Sequence, residues 1–117
     1  MAIFRHAGAE ALMLAVRDLS VGYGDRLVLR NVNFTARKGE SVALLSPNGS
    51  GKTTLSRAVS GILRPQRGTI SLCGQSIESL RPRERARRAT VVPQCGHFPA
   101  GLNVRQMVLL GRYQYLS

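Results

Sequence analysis

Residues 41–54 read Ser41-Val42-Ala43-Leu44-Leu45-Ser46-Pro47-Asn48-Gly49-Ser50-Gly51-Lys52-Thr53-Thr54. The apolar run is short and unbroken, which predicts a strand covered on both faces, as in a parallel sheet. Beyond it, Leu55, Ala58, Val59 and Ile62 recur at helical spacing and predict a helix over residues 52–60 that packs on the sheet. Gly61 and Pro65 are its stop signals. Strand, glycine-rich turn and helix in direct succession bring backbone N–H groups together at the positive end of a helix dipole. Gly49 and Gly51 allow backbone conformations closed to other residues and leave room for a polyphosphate. Lys52 can reach the β and γ phosphates, the Thr53 hydroxyl can coordinate Mg²⁺, and Thr54 can donate to the α phosphate. The ligand this pattern fits is a nucleoside triphosphate, ATP with Mg²⁺, held by Ser46, Pro47, Asn48, Gly49, Ser50, Gly51, Lys52, Thr53 and Thr54. A Gly-x-Gly-Lys-[Ser/Thr] string arises by chance in on the order of a few chains of this length per thousand, so a turn that merely caps a helix is the weaker account. The general pattern begins with Gly, where this chain has Ser46. If that position needs a positive φ, Ser costs about 1 kcal/mol there; binding is expected to persist, because the anion donors lie later in the loop.

Upstream, residues 12–21 and 27–36 alternate in part and are rich in β-branched residues, with Gly22-Tyr23-Gly24-Asp25-Arg26 between them. Two strands joined by a tight connection follow. Residues 1–11 show no clear period and read as a flexible extension, with Met13 an alternative start; residues 12–117 read as one partial domain. Downstream, residues 68–73 predict a strand ending at Gly74-Gln75. Residues 83–88 predict a short helix led by Pro82, 89–92 a strand stopped by Pro93, and 94–101 a loop. Asn103 can cap a last helix through Gly111, with Val104, Met107, Val108 and Leu110 on its apolar side.

The formal charge is +11, and fifteen of the seventeen basic residues are Arg. Such a balance invites a nucleic-acid or anionic-membrane reading. Arg81, Arg85 and Arg88 would share one side of the short helix and could contact phosphates, but no long block of like charge exists and a solvated helix face is the simpler account. Cys73 and Cys95 match neither a metal nor a disulfide pattern and read as small, buried or half-buried thiols. His6 and His97 are isolated. No apolar run approaches the roughly 20 residues of a membrane span, and a cytoplasmic location is expected.

Tyr23, the loop with Leu55 after it, and Val92-Pro93-Gln94 downstream together resemble the nucleotide-binding subunit of an ABC transporter, from about Leu12 to Ser117. The loop looks like that family's Walker A motif, apart from Ser46. Gly61-Ile62-Leu63-Arg64-Pro65 with Gly68-Thr69-Ile70 looks like the family's link to the next strand. The resemblance implies an α/β P-loop NTPase fold: an N-terminal antiparallel β subdomain and the start of a parallel core sheet. It implies that Tyr23 stacks on adenine, for which an aromatic ring in a turn is physically suited. It implies that Gln94 is the Q-loop glutamine, contacting Mg²⁺ or orienting the attacking water, so that Lys52 and Gln94 serve catalysis and Thr53 and Gln94 the metal. Within the family, Leu102-Asn103-Val104-Arg105 and Met107-Val108-Leu109-Leu110-Gly111-Arg112-Tyr113 look most like importers of iron chelates, haem or cobalamin. The implied partners are a transmembrane permease, met through the Gln94 loop and residues 95–110, and a second nucleotide-binding subunit. The implied location is the inner face of the cell membrane.

The sequence departs from such a subunit by what it omits. It contains no Leu-Ser-Gly-Gly-Gln-like signature, and no apolar strand ends in the adjacent acidic residues of a Walker B motif. His97 does not stand where a switch histidine would. Glu10, Asp18, Asp25, Glu40, Glu78 and Glu84 are the acidic residues, and none ends a buried strand. Negligible ATP hydrolysis by this chain alone is the expectation, with exposed apolar surface where later strands would pack. The rival readings are a P-loop protein associated with nucleic acid and a non-catalytic remnant.

Overall fold

The computed structural model describes residues 2–6, 11–92 and 100–116. Its largest element is the hairpin of β2 (Leu12–Tyr23) and β3 (Arg26–Arg37), in antiparallel register from Leu12↔Arg37 to Tyr23↔Arg26. The connection is so tight that a Cβ on Gly22 would fall 1.9 Å from Arg26 O. β5 (Arg67–Leu72) pairs antiparallel with the other edge of β2, and β6 (Gln75–Ser76) follows, giving the order β3-β2-β5-β6. β2 is irregular at Asp18, whose φ of 49° is held by an N–H donated to Asn33 Oδ1 at 2.9 Å. Gly68 faces this kink: any Cβ there would sit 2.3 Å from Asp18 O.

The alternation that predicts these strands also makes the core. Val16, Leu19 and Val21 of β2, Leu29 and Phe34 of β3 and Ile70 of β5 are buried on one face of the sheet. Leu55 and Ala58 of helix α1 (Lys52–Val59) cover them, joined by Ile77 from a 3-10 turn at Ile77–Ser79. Removing this aliphatic surface from water is the main force that fixes α1 against the sheet. After α1 the chain reverses at Gly61, φ 84°, and the Arg57 carbonyl accepts from both Ile62 N and Leu63 N. The reversal brings Leu63 onto the core and leaves Ile62 78% exposed. Helical spacing misplaces Ile62 because the helix has already ended.

Three other expectations are corrected. Residues 1–11 do not read as an irregular extension throughout: Ala2–His6 form β1, antiparallel to β4 (Ser41–Leu45). The unpaired backbone edge of β4 supplies the partner, and Ile3 packs against the core. β4 itself is not covered on both faces. Val42 and Leu44 pack against the core, while Ala43 and Leu45 are exposed, and among the described residues no strand pair is parallel. Residues 89–92, expected as a strand, pair with none of the described strands, and Val92 is 89% exposed.

The later helices form where expected. α2 (Pro82–Arg88) opens with Pro82, and Glu84 Oε2 accepts from Arg81 N at 2.8 Å. α3 (Val104–Leu110) has reciprocal bonds between Asn103 and Gln106, each backbone N–H reaching the other's side-chain oxygen at 2.9 Å. Its expected apolar side is not buried: Val104 and Val108 lie open among the described residues, and only Met107 is partly covered. A 3-10 turn at Tyr113–Tyr115 packs on α2, with Arg83 and Arg87 over the rings of Tyr113 and Tyr115 at 5.7 and 5.3 Å. Cys73 is exposed in the β5–β6 turn, with φ 51°, rather than buried or half-buried. Cys95, His97 and Glu10 lie outside the described residues.

Candidate nucleotide-binding site

The loop leaves β4 at Ser46 and enters α1 at Lys52. Gly49 and Gly51 have φ 82° and 105°, the conformations for which glycine is suited. At Gly51 space is also limiting, since a Cβ would lie 2.6 Å from Leu29 Cδ2 and 3.2 Å from Val28 Cγ1. The end of the loop is pressed onto β3. Ser46 does not have a positive φ: among described non-glycine residues only Asp18, Asn31 and Cys73 do. The strain considered for this position is absent, and the hydroxyl has a use. Ser50 Oγ bonds both Pro47 O, at 2.6 Å, and Ser46 Oγ, which braces the loop across its base.

α1 starts at Gly51 with no side-chain cap, so its first amides are left for another acceptor. Lys52 Nζ donates to Ser46 O at 2.7 Å, which folds the ammonium across the loop. Gly49, Gly51, Lys52, Thr53 and Thr54 line one concavity of about 370 Å³, together with Asn48 and Val28. Among the described residues no acidic one lines it. Amides, one ammonium, two hydroxyls and glycine-made space are a donor set suited to a polyphosphate. Thr53, exposed at the helix start, is the loop hydroxyl open to a metal. Among the described residues no group of three His, Cys, Asp or Glu side chains could hold one.

Tyr23 ends β2 with its ring half exposed. Its hydroxyl accepts from Arg57 Nη1 at 2.9 Å. A hydrogen bond with the Thr54 side chain, and next the bond from Arg57, hold the phenol below its ordinary value of 10.0. Tyr23, which the family resemblance implies stacks on adenine, therefore stands beside the last residue of the loop. Gln94 lies outside the described residues. Val91 and Val92, just upstream of it, line a groove with Lys52, Thr53, Ser56 and Arg57.

Sequence reasoning missed Val28 and Arg57. Val28 follows Tyr23's cross-strand partner Arg26 by two residues, and Arg57 follows Thr54 by three, one turn along the helix. The pairing of the hairpin and the helical repeat carried both signals. Arg85 donates to Leu80 O at 3.4 Å, Arg88 to Gln75 Oε1, and Arg87 to Gln114 O at 3.0 Å.

The ABC transporter family model matches residues 29–113. The probable siderophore transport system ATP-binding protein YusV of Bacillus subtilis (strain 168) is 37% identical over 102 residues, which make up 87% of this chain and 37% of that protein. The Nod factor export ATP-binding protein I of Burkholderia lata is 42% identical over 102 residues, 86% of this chain and 33% of that protein. A solved ATP binding subunit of an ABC transporter superposes with a TM-score of 0.75 at 28% identity, covering 88% of this chain and 42% of that one. The chain thus spans well under half the length of these relatives. No described helix is long and apolar enough to cross a membrane. With the family model over most of the sequence and the phosphate loop folded between strand and helix, the chain belongs to the ABC transporter family, as part of an ATP-binding subunit.

Proposed function

We propose that residues 46–54 bind Mg-ATP, and that the chain is the nucleotide-holding part of an ATPase that drives import of an iron chelate, haem or cobalamin. The observation that carries this is the convergence of Gly49, Gly51, the uncapped start of α1 and the Lys52 ammonium on one concavity free of acidic groups. Lys52 exchanges its contact with Ser46 O for the β and γ phosphates, Thr53 gives its hydroxyl to Mg²⁺, and Thr54 bonds the α phosphate. Bound Mg²⁺ would offset charge on the phosphate oxygens. Tyr23 offers its open face to adenine. Gln94 would serve the metal or the attacking water, and its loop with residues 95–110 would meet a permease at the inner face of the membrane. The exposed apolar side of α3 supports that docking. The siderophore relative supports the import reading; the likeness to a Nod factor exporter makes export the second reading.

Titration of ATP with Mg²⁺ into the folded chain tests the core of this. Saturable binding is expected, weakened at least tenfold by Lys52→Ala; a folded chain with no saturable binding overturns the reading. Turnover by this chain alone is expected to be negligible, since among the described residues no carboxylate lines the loop to polarise water. Steady phosphate release that Lys52→Ala abolishes would refute that second part.

A further inference from the structure

Tyr23 is held from more than one direction, and only one of its holders is part of the phosphate loop. Its hydroxyl meets Thr54 and Arg57, which lie three residues apart on one edge of α1. The carbonyl of the next residue, Gly24, accepts from Gln66 Nε2 at 3.0 Å. The backbone behind it is closed by the Gly22 turn, which admits no side chain. The residue as a whole stays 45% exposed. Arg57 donates to the phenol from an exposed position on α1.

We propose that Arg57 is a positioning residue for the nucleotide base: it clasps the Tyr23 hydroxyl and fixes the aromatic platform relative to the phosphate loop. The inference rests on the ATP-binding reading. Two recognition elements come from distant parts of the sequence, a hairpin turn and a helix start. A base and its phosphates are joined covalently, so the two elements act together only if their separation is fixed before binding. Thr54 belongs to the loop itself. Arg57 adds the second tether, charge-assisted and one helical turn further along. Without it the ring can rotate away from the helix, and the ordering must then occur on binding.

The test compares two probes, Mg-ATP and Mg-tripolyphosphate, which share the phosphates and differ in having a base. Affinities are measured for the unmodified chain, Tyr23→Phe, Arg57→Gln, Arg57→Lys and the Tyr23→Phe/Arg57→Gln double variant, each checked for an unchanged fold by circular dichroism. Arg57→Gln should weaken ATP about three- to tenfold, the scale of one hydrogen bond, and leave tripolyphosphate within twofold. Tyr23→Phe, which keeps the ring and loses both the Arg57 and the Thr54 contacts, should weaken ATP at least as much. The double variant should be no weaker than Tyr23→Phe alone, because that change already removes the contact Arg57 makes. Arg57→Lys should recover part of the loss. Equal weakening of both probes would make Arg57 a phosphate contact and overturn the proposal, as would an unchanged ATP affinity. Either result leaves the loop reading standing if tripolyphosphate still binds. Failure of the unmodified chain to bind either probe would remove the loop reading and the clasp with it.

Discussion

Every buried described residue lies between positions 15 and 80; from 81 onward nothing described is buried. The first region is a sheet closed by α1, and the phosphate loop is built into it: Gly51 presses on Leu29, and Thr54 and Leu55 are buried in the helix behind. The second region, α2, α3 and the turn at Tyr113–Tyr115, is held by caps, backbone bonds and arginine–tyrosine contacts at its surface. The difference separates two tasks. A phosphate loop needs donors fixed in advance, which a packed core supplies. A segment proposed to meet a partner needs apolar surface left free, which α3 has.

The largest expected effect breaks the comparison most directly. Leu19 is fully buried in the first region, and Leu109 is 53% exposed in the second. Leu19→Ala should cost about 2–5 kcal/mol in urea unfolding. Leu109→Ala should change stability by no more than about 0.5 kcal/mol. Similar costs at the two positions would mean that α3 is packed as firmly as the sheet, and the division would fall.

A smaller effect sharpens it. Arg87 ties α2 to the last turn through Gln114 O and the Tyr115 ring. Arg87→Ala should remove about 1 kcal/mol of local stability. In hydrogen exchange, protection should fall in residues 104–116 and hold in β2, β3 and β5. Loss of protection across the sheet would show that the two regions open as one unit.

The first region was also the more legible in sequence, for the same physical reason. Period-2 alternation in β2 and β3 and the 3.6 period of α1 exist because one face of each is buried against the other. The glycine turn at 49–51 was readable because its backbone angles admit few other residues. Where burial stops, periodicity misleads: among the described residues, Val104 and Val108 keep a helical pattern with no core beneath them, and 89–92 look like a strand with no neighbour to pair with. β1 was not legible at all. Five residues carry too little pattern, and only the free edge of β4 gives them a partner. In the site, the loop residues could be named from type and spacing alone. Val28 and Arg57 could not, since their roles depend on how the hairpin and helix come together.

The smallest effect concerns the most exposed contact of the first region and carries a sign. Thr54 and then Arg57 hold the Tyr23 phenol below its ordinary value of 10.0. The unfolded chain therefore keeps this proton to higher pH than the folded one, and in the window below 10 the folded state is favoured as pH rises. The contribution is complete above 10 and is lost as pH falls through the folded value. Because the hydroxyl is open to solvent, the energy involved is small. Unfolding midpoints of the unmodified chain and Tyr23→Phe should diverge in favour of the former as pH approaches 10, and Arg57→Gln should shrink that divergence without abolishing it, since Thr54 remains. Ultraviolet titration should show a tyrosine deprotonating early, a step missing in Tyr23→Phe. Should the unmodified chain instead lose ground to Tyr23→Phe on the alkaline side, the hydroxyl would be held by groups that prefer it protonated. The first region would then reach only as far as its buried residues, and the ring of Tyr23 would belong with the loosely held surface of the second.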